Sequence, residues 1–155
     1  MTAGTGSGGL RIIAGIDGSE HSQRALQWAA HFAAIFGARL EAVSCWEYPS
    51  SYGWASVASD WSPGRDMEKV LDDTIRAVFG DQPPAGMQRQ VIEGGAAKVL
   101  LEASAGGMML VVGSRGHGGF AGLLLGSVSA IVAEHASCPV FIVHGNQPPP
   151  PPRAV

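Results

Sequence analysis

Two separated stretches carry residue types and spacings suited to phosphate and sugar chemistry. The longer one runs from Val111 to Ser129. In it two residues separate Gly113 from Gly116, nine separate Gly116 from Gly126, and Ser127 follows at once. Glycines let a backbone approach a ligand closely. A helix that starts behind such a loop offers free N–H groups and its positive dipole end to an anion. With the hydroxyls of Ser127 and Ser129, the stretch reads as a phosphate cradle; a strand-to-helix connection with glycines for turns is the bland alternative. Arg115 adds a cation beside the cradle or a solvent-facing loop arginine, and His117 has no paired carboxylate in sequence to set up proton transfer.

The second stretch is Gly15-Ile16-Asp17-Gly18-Ser19-Glu20. Asp17 has two readings. With Glu20 three residues on it fits a capping box. At the end of a strand, its carboxylate also suits the hydroxyls of a ribose, which donate where phosphate oxygens cannot.

The elements that must position these residues alternate along the chain. Leu10–Ile16 is a short apolar run, hence a buried strand. Ala25, Ala29, Phe32, Ala33 and Phe36 repeat at helical spacing, so residues 20–36 form an amphipathic helix ended by Gly37. Ala38–Trp46 is a second strand. A helix beginning at Met67 runs to Phe79, where Gly80 and Pro83-Pro84 break it. Met87–Ile92, residues 96–105 and Met108–Val112 supply a strand, a helix and a strand. Val128, Ile131, Val132 and His135 mark a fourth helix, with His135 placed to favour the dipole at its end. Pro139–Val143 is a fifth strand. Four strand–helix pairs and a final strand imply an α/β fold, a parallel sheet with helices on both faces. Ligands of such sheets bind outside the carboxyl ends of the strands, where the strand order reverses.

Residues 1–9, small and glycine-rich, are expected to be disordered, with one domain over residues 10–145 and a proline-rich disordered tail over 146–155. The segment 47–65, with Tyr52, Trp54 and Trp61, is either a cover for a ligand or packing against the helices. The five consecutive prolines from Pro148 suit an extended polyproline II segment, solvated or bound to an aromatic groove.

Composition narrows the function classes. At 155 residues with 46% apolar residues, the chain can bury one substantial core. Thirteen acidic against ten basic side chains, with no basic run, argue against nucleic acid as a partner. No apolar run reaches the length of a membrane span, and the N-terminus lacks the pattern of a secretory signal. Cys45 and Cys138 have no metal-ligand spacing and read as reduced, buried thiols in strands of a cytoplasmic protein.

The spacing Gly-x2-Gly-x9-Gly-Ser, together with Gly15-Ile16-Asp17-Gly18-Ser19-Glu20, resembles the universal stress protein family in its ATP-binding branch. The resemblance covers residues 10–145 and implies an open, twisted, Rossmann-like five-stranded parallel sheet of order 3-2-1-4-5. It implies that Gly113 and Gly116 hug a nucleotide, and that Gly126, Ser127 and Ser129 hold phosphates through N–H groups and hydroxyls. It places Asp17 on the ribose, Cys45 against adenine, and Gly15, Ile16 and Val128 along the pocket, with Arg115 near the phosphates. The cofactor implied is ATP, with or without Mg²⁺, in a cytoplasmic homodimer paired through the last strand and acting in stress adaptation, with little or slow hydrolysis. A hydrolase or phosphotransferase, a nucleotide-free interaction protein and a cyclic AMP binder are the alternatives. A bulky residue at Gly113 or Gly126 is expected to abolish binding and leave the fold intact.

Overall fold

The computed structural model describes residues 8–49, 61–116 and 125–151. The expectations for residues 1–7, for Tyr52 and Trp54, for His117 and for residues 152–155 lie outside the described residues. Strands and helices alternate as β1 (Arg11–Gly15), α1 (Glu20–Phe36), β2 (Arg39–Trp46), α2 (Pro63–Phe79), β3 (Gln88–Glu93), α3 (Ala96–Ser104), β4 (Met109–Gly113), α4 (Ser127–His135) and β5 (Val140–Val143). The five strands form one sheet, ordered β3-β2-β1-β4-β5, and every pairing is parallel. This is the Rossmann-like order that the family resemblance implies.

Side-chain alternation along β1 and β4 divides the core in two. Ile12, Ala14 and Val111 face a layer made by Ala25, Leu26, Ala29 and Ala33 of α1 with Leu71 and Ile75 of α2. Ile13, Leu110 and Val112 face the other layer, with Val99 and Leu100 of α3 and Val132 of α4. Because both sheet faces are covered, the central strands have no polar face, which is why they read as continuous apolar runs.

Helix α2 starts four residues before the sequence pattern predicts. Its N-cap is Ser62, whose side chain accepts from the Arg65 amide, and Pro63 occupies the first turn. Pro63-Gly64-Arg65-Asp66 carries no apolar repeat, so periodicity misses this turn, while a Ser–Pro start would have marked it. Gly64 lets that turn lie on Trp46: a Cβ there would sit 3.2 Å from the indole. The described flanks of the aromatic segment pack in a chain from the same indole, Tyr48 on Trp46 and Trp61 on Tyr48. Tyr48 meets Trp46 edge-on at 5.3 Å and Trp61 at 6.0 Å between centroids.

At the amino end of the sheet, opposite the glycine-rich loop, Glu41 is buried on β2. It accepts from Arg11 Nη1 at 3.0 Å and from Arg39 Nη2 at 2.9 Å. Arg11 Nη2 also donates to the Ala105 carbonyl at 2.9 Å, so the guanidinium satisfies the chain at the end of α3. Cys45 and Cys138 are both free and only half-buried, and Cys138 precedes β5 instead of lying in it. That corrects the reading of two buried strand thiols.

Candidate functional site

The strand order reverses at β1. The chain leaves β1 to pair β2 on one side, while β4 pairs β1 on the other, with Ile12, Ile13 and Ala14 beside Met109, Leu110 and Val111. The loops after β1 and β4 therefore diverge from adjacent strand ends and leave a crevice between them.

After β1 the backbone is pinned by two bonds to β2. The Ile16 amide donates to the Val43 carbonyl at 2.9 Å, and Ser44 Oγ donates to the Ile16 carbonyl at 2.8 Å. Asp17, Gly18 and Ser19 then form a tight turn. Gly18 has φ 86°, a left-handed conformation that glycine adopts without strain. Asp17 Oδ1 accepts from the Ser19 amide at 2.9 Å and from Ser19 Oγ at 2.5 Å. Ser19 Oγ in turn accepts from the Ser22 amide at 3.2 Å. Ser19, not Asp17, is thus the N-cap of α1. The capping-box reading of Asp17 is corrected: the side chain two residues later takes the cap, and Asp17 is oriented by it. Asp17 Oδ2 lies so close to Gly116 that a Cβ on Gly116 would collide with it. Two motifs nearly a hundred residues apart in sequence therefore touch.

The loop after β4 is tied back in a similar way. The Ser114 amide donates to the Val143 carbonyl at 2.9 Å, and the Ser114 carbonyl accepts from the Gly126 amide at 2.7 Å and from Ser129 Oγ at 3.0 Å. Ser129 Oγ also lies 3.0 Å from the Gly126 carbonyl. The Gly126 amide and the Ser129 hydroxyl proton are therefore engaged in building the turn. The first amides of α4, at Ser127, Val128 and Ser129, have no carbonyl one turn earlier in their own helix. Gly126 caps that helix without a side-chain bond.

These pieces enclose a crevice of about 170 Å³. The eleven residues that the family resemblance assigns to a nucleotide all line it: Gly15, Ile16, Asp17, Cys45, Gly113, Arg115, Gly116, Gly126, Ser127, Val128 and Ser129. Sequence reasoning passed over Ser22, Val43, Ala96, Leu100 and Val112 as site residues, and they complete the described wall. The parallel topology is the signal for Ala96 and Leu100, because a helix that follows β3 must begin at the carboxyl edge of the sheet.

Two glycines in the wall have packing reasons of their own. A Cβ on Gly15 would lie 2.9 Å from Leu100 Cδ1 and 3.3 Å from Val112 Cγ1. A Cβ on Gly113 would lie 2.6 Å from His21 Cβ and 2.9 Å from the His21 carbonyl carbon and oxygen. Helix α1 thus needs Gly113 bare whether or not a ligand is present, which corrects the expectation that a bulky residue there leaves the fold intact. At Gly126 a Cβ would come no closer than 3.6 Å to any neighbour.

The wall sorts into three chemistries. Ile16, Val43, Leu100, Val112 and Val128 are apolar. Cys45 joins them, because burial first, and then the charges of Glu47 and Asp17, push its thiol up to about 11 and keep it neutral. Asp17 supplies an oriented carboxylate, and Arg115 with the start of α4 supplies positive potential. A ligand that combines an apolar part, hydroxyl groups and an anionic group matches that combination of surfaces. Among the described residues, no group of three His, Cys, Asp or Glu side chains is placed to hold a metal ion.

Residues 10–144 match the universal stress protein family. The chain belongs to that family. A universal stress protein of Mycobacterium tuberculosis is 33% identical over 132 residues, which are 84% of this chain and 44% of the relative. The chain spans about half the length of the curated relatives it matches. A universal stress protein solved in complex with cAMP is 27% identical with a TM-score of 0.62, and the match covers 88% of this chain and 98% of that one. A universal stress protein of Lactobacillus plantarum shares the fold at a TM-score of 0.67 and 21% identity, over 86% of this chain and 97% of that one. No helix among the described residues is long and apolar enough to cross a membrane.

Proposed function

We propose that this universal stress protein is an ATP-binding regulatory module that holds its nucleotide and turns it over slowly or not at all. The observation that carries the reading is the meeting of Asp17 with Gly116 at the strand-order reversal, beside the N-terminus of α4. In this assignment the apolar wall with Cys45 receives adenine, and Gly15 and Ile16 border the nucleoside. Asp17 accepts from the ribose hydroxyls. The amides and the Ser127 hydroxyl at the start of α4 hold the phosphates, and Arg115 balances their charge. Gly126 and Ser129 act by shaping that turn, since their own donors are engaged with the Ser114 and Gly126 carbonyls. Mg²⁺, where it accompanies ATP, is carried by the phosphates. The working unit is a cytoplasmic homodimer paired through β5, an edge strand of the sheet.

Cyclic AMP is the second reading, favoured by the relative solved in complex with cAMP. The two make different demands on the start of α4, because a cyclic monophosphate carries one charge and a triphosphate several. Calorimetric titration with ATP, AMP and cyclic AMP separates them. ATP binding that weakens at least tenfold on removal of the β- and γ-phosphates supports the ATP assignment. Equal or tighter binding of cyclic AMP replaces it, and no heat or thermal stabilisation with any of the three at millimolar concentration removes both.

A further inference from the structure

Helix α1 carries an aromatic face remote from the crevice. Trp28, Phe32 and Phe36 recur every four residues, so they lie in one row along the helix. Phe141 of β5 packs into that row, with its ring centroid 5.4 Å from Trp28 and 4.8 Å from Phe32, and His31 meets Trp28 edge-on at 5.9 Å. The core accounts for one side of this layer.

The chain beyond β5 returns to the other side. Gly145, at φ 67°, turns the backbone after β5, and Trp28 Nε1 donates to the Gln147 carbonyl at 3.0 Å. Pro148 follows, and the residue before a proline is held extended. Pro149 is half-buried, whereas Pro148, Pro150 and Pro151 are exposed. A polyproline II helix has about three residues per turn and no internal hydrogen bonds, so its carbonyls stay available as acceptors. An aromatic surface with an indole N–H at its edge offers what such a segment lacks: a donor and flat apolar contact.

We propose that the aromatic face of α1 is a binding surface for proline segments in the polyproline II conformation. Its resident occupant is this chain's own run from Pro148 to Pro151, docked in cis and anchored by Trp28. The proposal is independent of what the crevice binds.

The test uses the full chain, a chain ending at Asn146, and a synthetic peptide with the sequence of residues 146–153. The readout is the indole N–H resonance of Trp28, assigned by Trp28→Phe, with the Trp46 resonance reporting on the intact fold. Removing the tail should shift the Trp28 signal, and adding the peptide to the shortened chain should shift it back. A tethered segment acts at an effective concentration on the order of millimolar, so the full chain should need about tenfold more peptide than the shortened one. Trp28→Phe in the shortened chain, read on the peptide, should weaken binding about fivefold through loss of one hydrogen bond. An unchanged Trp28 signal on tail removal overturns the docking. Equal binding of a peptide with Gly and Ser in place of the prolines overturns polyproline recognition. A Trp28 signal that moves on dilution of the full chain overturns the cis assignment in favour of a second copy.

Discussion

Replacing Gly113 by alanine should destabilise the protein with no nucleotide present, and by more than replacing Gly126 by alanine does. A Cβ at 113 would stand 2.6 Å from His21 Cβ and 2.9 Å from two His21 backbone atoms. Carbon atoms pack comfortably at roughly 3.5–4.0 Å, so about 1 Å must be found by moving the first turn of α1 or the end of β4. Neither can rotate away, because the obstacle is backbone and the Cβ of a helical residue. Overpacking of this kind costs about 1–3 kcal/mol. In a domain of this size that corresponds to a loss of roughly 3–10 °C in Tm. At Gly126 the nearest atom to a new Cβ is 3.6 Å away, an ordinary contact. Its remaining cost is that of alanine for glycine at an N-cap, a position where alanine is the poorer residue, within about 1 kcal/mol. Thermal unfolding of the two variants, followed by circular dichroism in nucleotide-free buffer, makes the comparison. If Gly113→Ala melts within about a degree of the parent, or Gly126→Ala falls as far as Gly113→Ala, the packing explanation is refuted. Gly126, with larger side chains in turn, is then the cleaner position from which to probe the crevice.

Ser19→Ala removes both the cap of α1 and the hydroxyl that orients Asp17. It should cost about 1 kcal/mol in denaturant unfolding and weaken nucleoside binding, while Ser19→Thr retains both. Arg11→Met leaves buried Glu41 with Arg39 alone and strips the Ala105 carbonyl of its donor. Because one partner remains, the loss in unfolding free energy should fall at or below the lower end of the roughly 3–5 kcal/mol seen for broken buried pairs. The neutral Cys45 thiol should alkylate slowly at pH 8, with about one thousandth of it ionised for a group near 11. The rate should climb about tenfold per pH unit towards pH 10, and a rate like that of a free cysteine contradicts the burial. The same shift has a stability consequence. The folded thiol holds its proton above the ordinary value of 9.0, so between about 9 and 11 the unfolded chain loses protons that the native chain keeps. Its contribution to stability is therefore complete below pH 9 and falls as pH rises through that window, more steeply than in Cys45→Ala.

The sequence by itself determined the kinds and order of the elements. Apolar runs as pure as Met109–Val112 occur where both faces of a strand are covered, and the regular return of helical spacing between such runs leaves a parallel sheet as the consistent arrangement. It also marked the glycines and short polar side chains at the ends of β1 and β4 as local departures from that pattern, and the family resemblance added Gly15, Ile16, Cys45 and Val128 to the crevice. The turn at Pro63 escaped because capping, unlike burial, leaves no period. Tertiary structure alone decided what each marked residue does. Asp17 looks like a cap until Ser19 is seen to take that place, and Gly113 looks like a ligand contact until α1 is seen to press against it. The Gly126 amide and the Ser129 hydroxyl look like phosphate donors until the Ser114 carbonyl is found between them. Spacing records which conformations and donors a stretch can offer; which neighbour uses them depends on contacts between residues far apart in the chain, and those exist only once the sheet has brought β1 and β4 side by side.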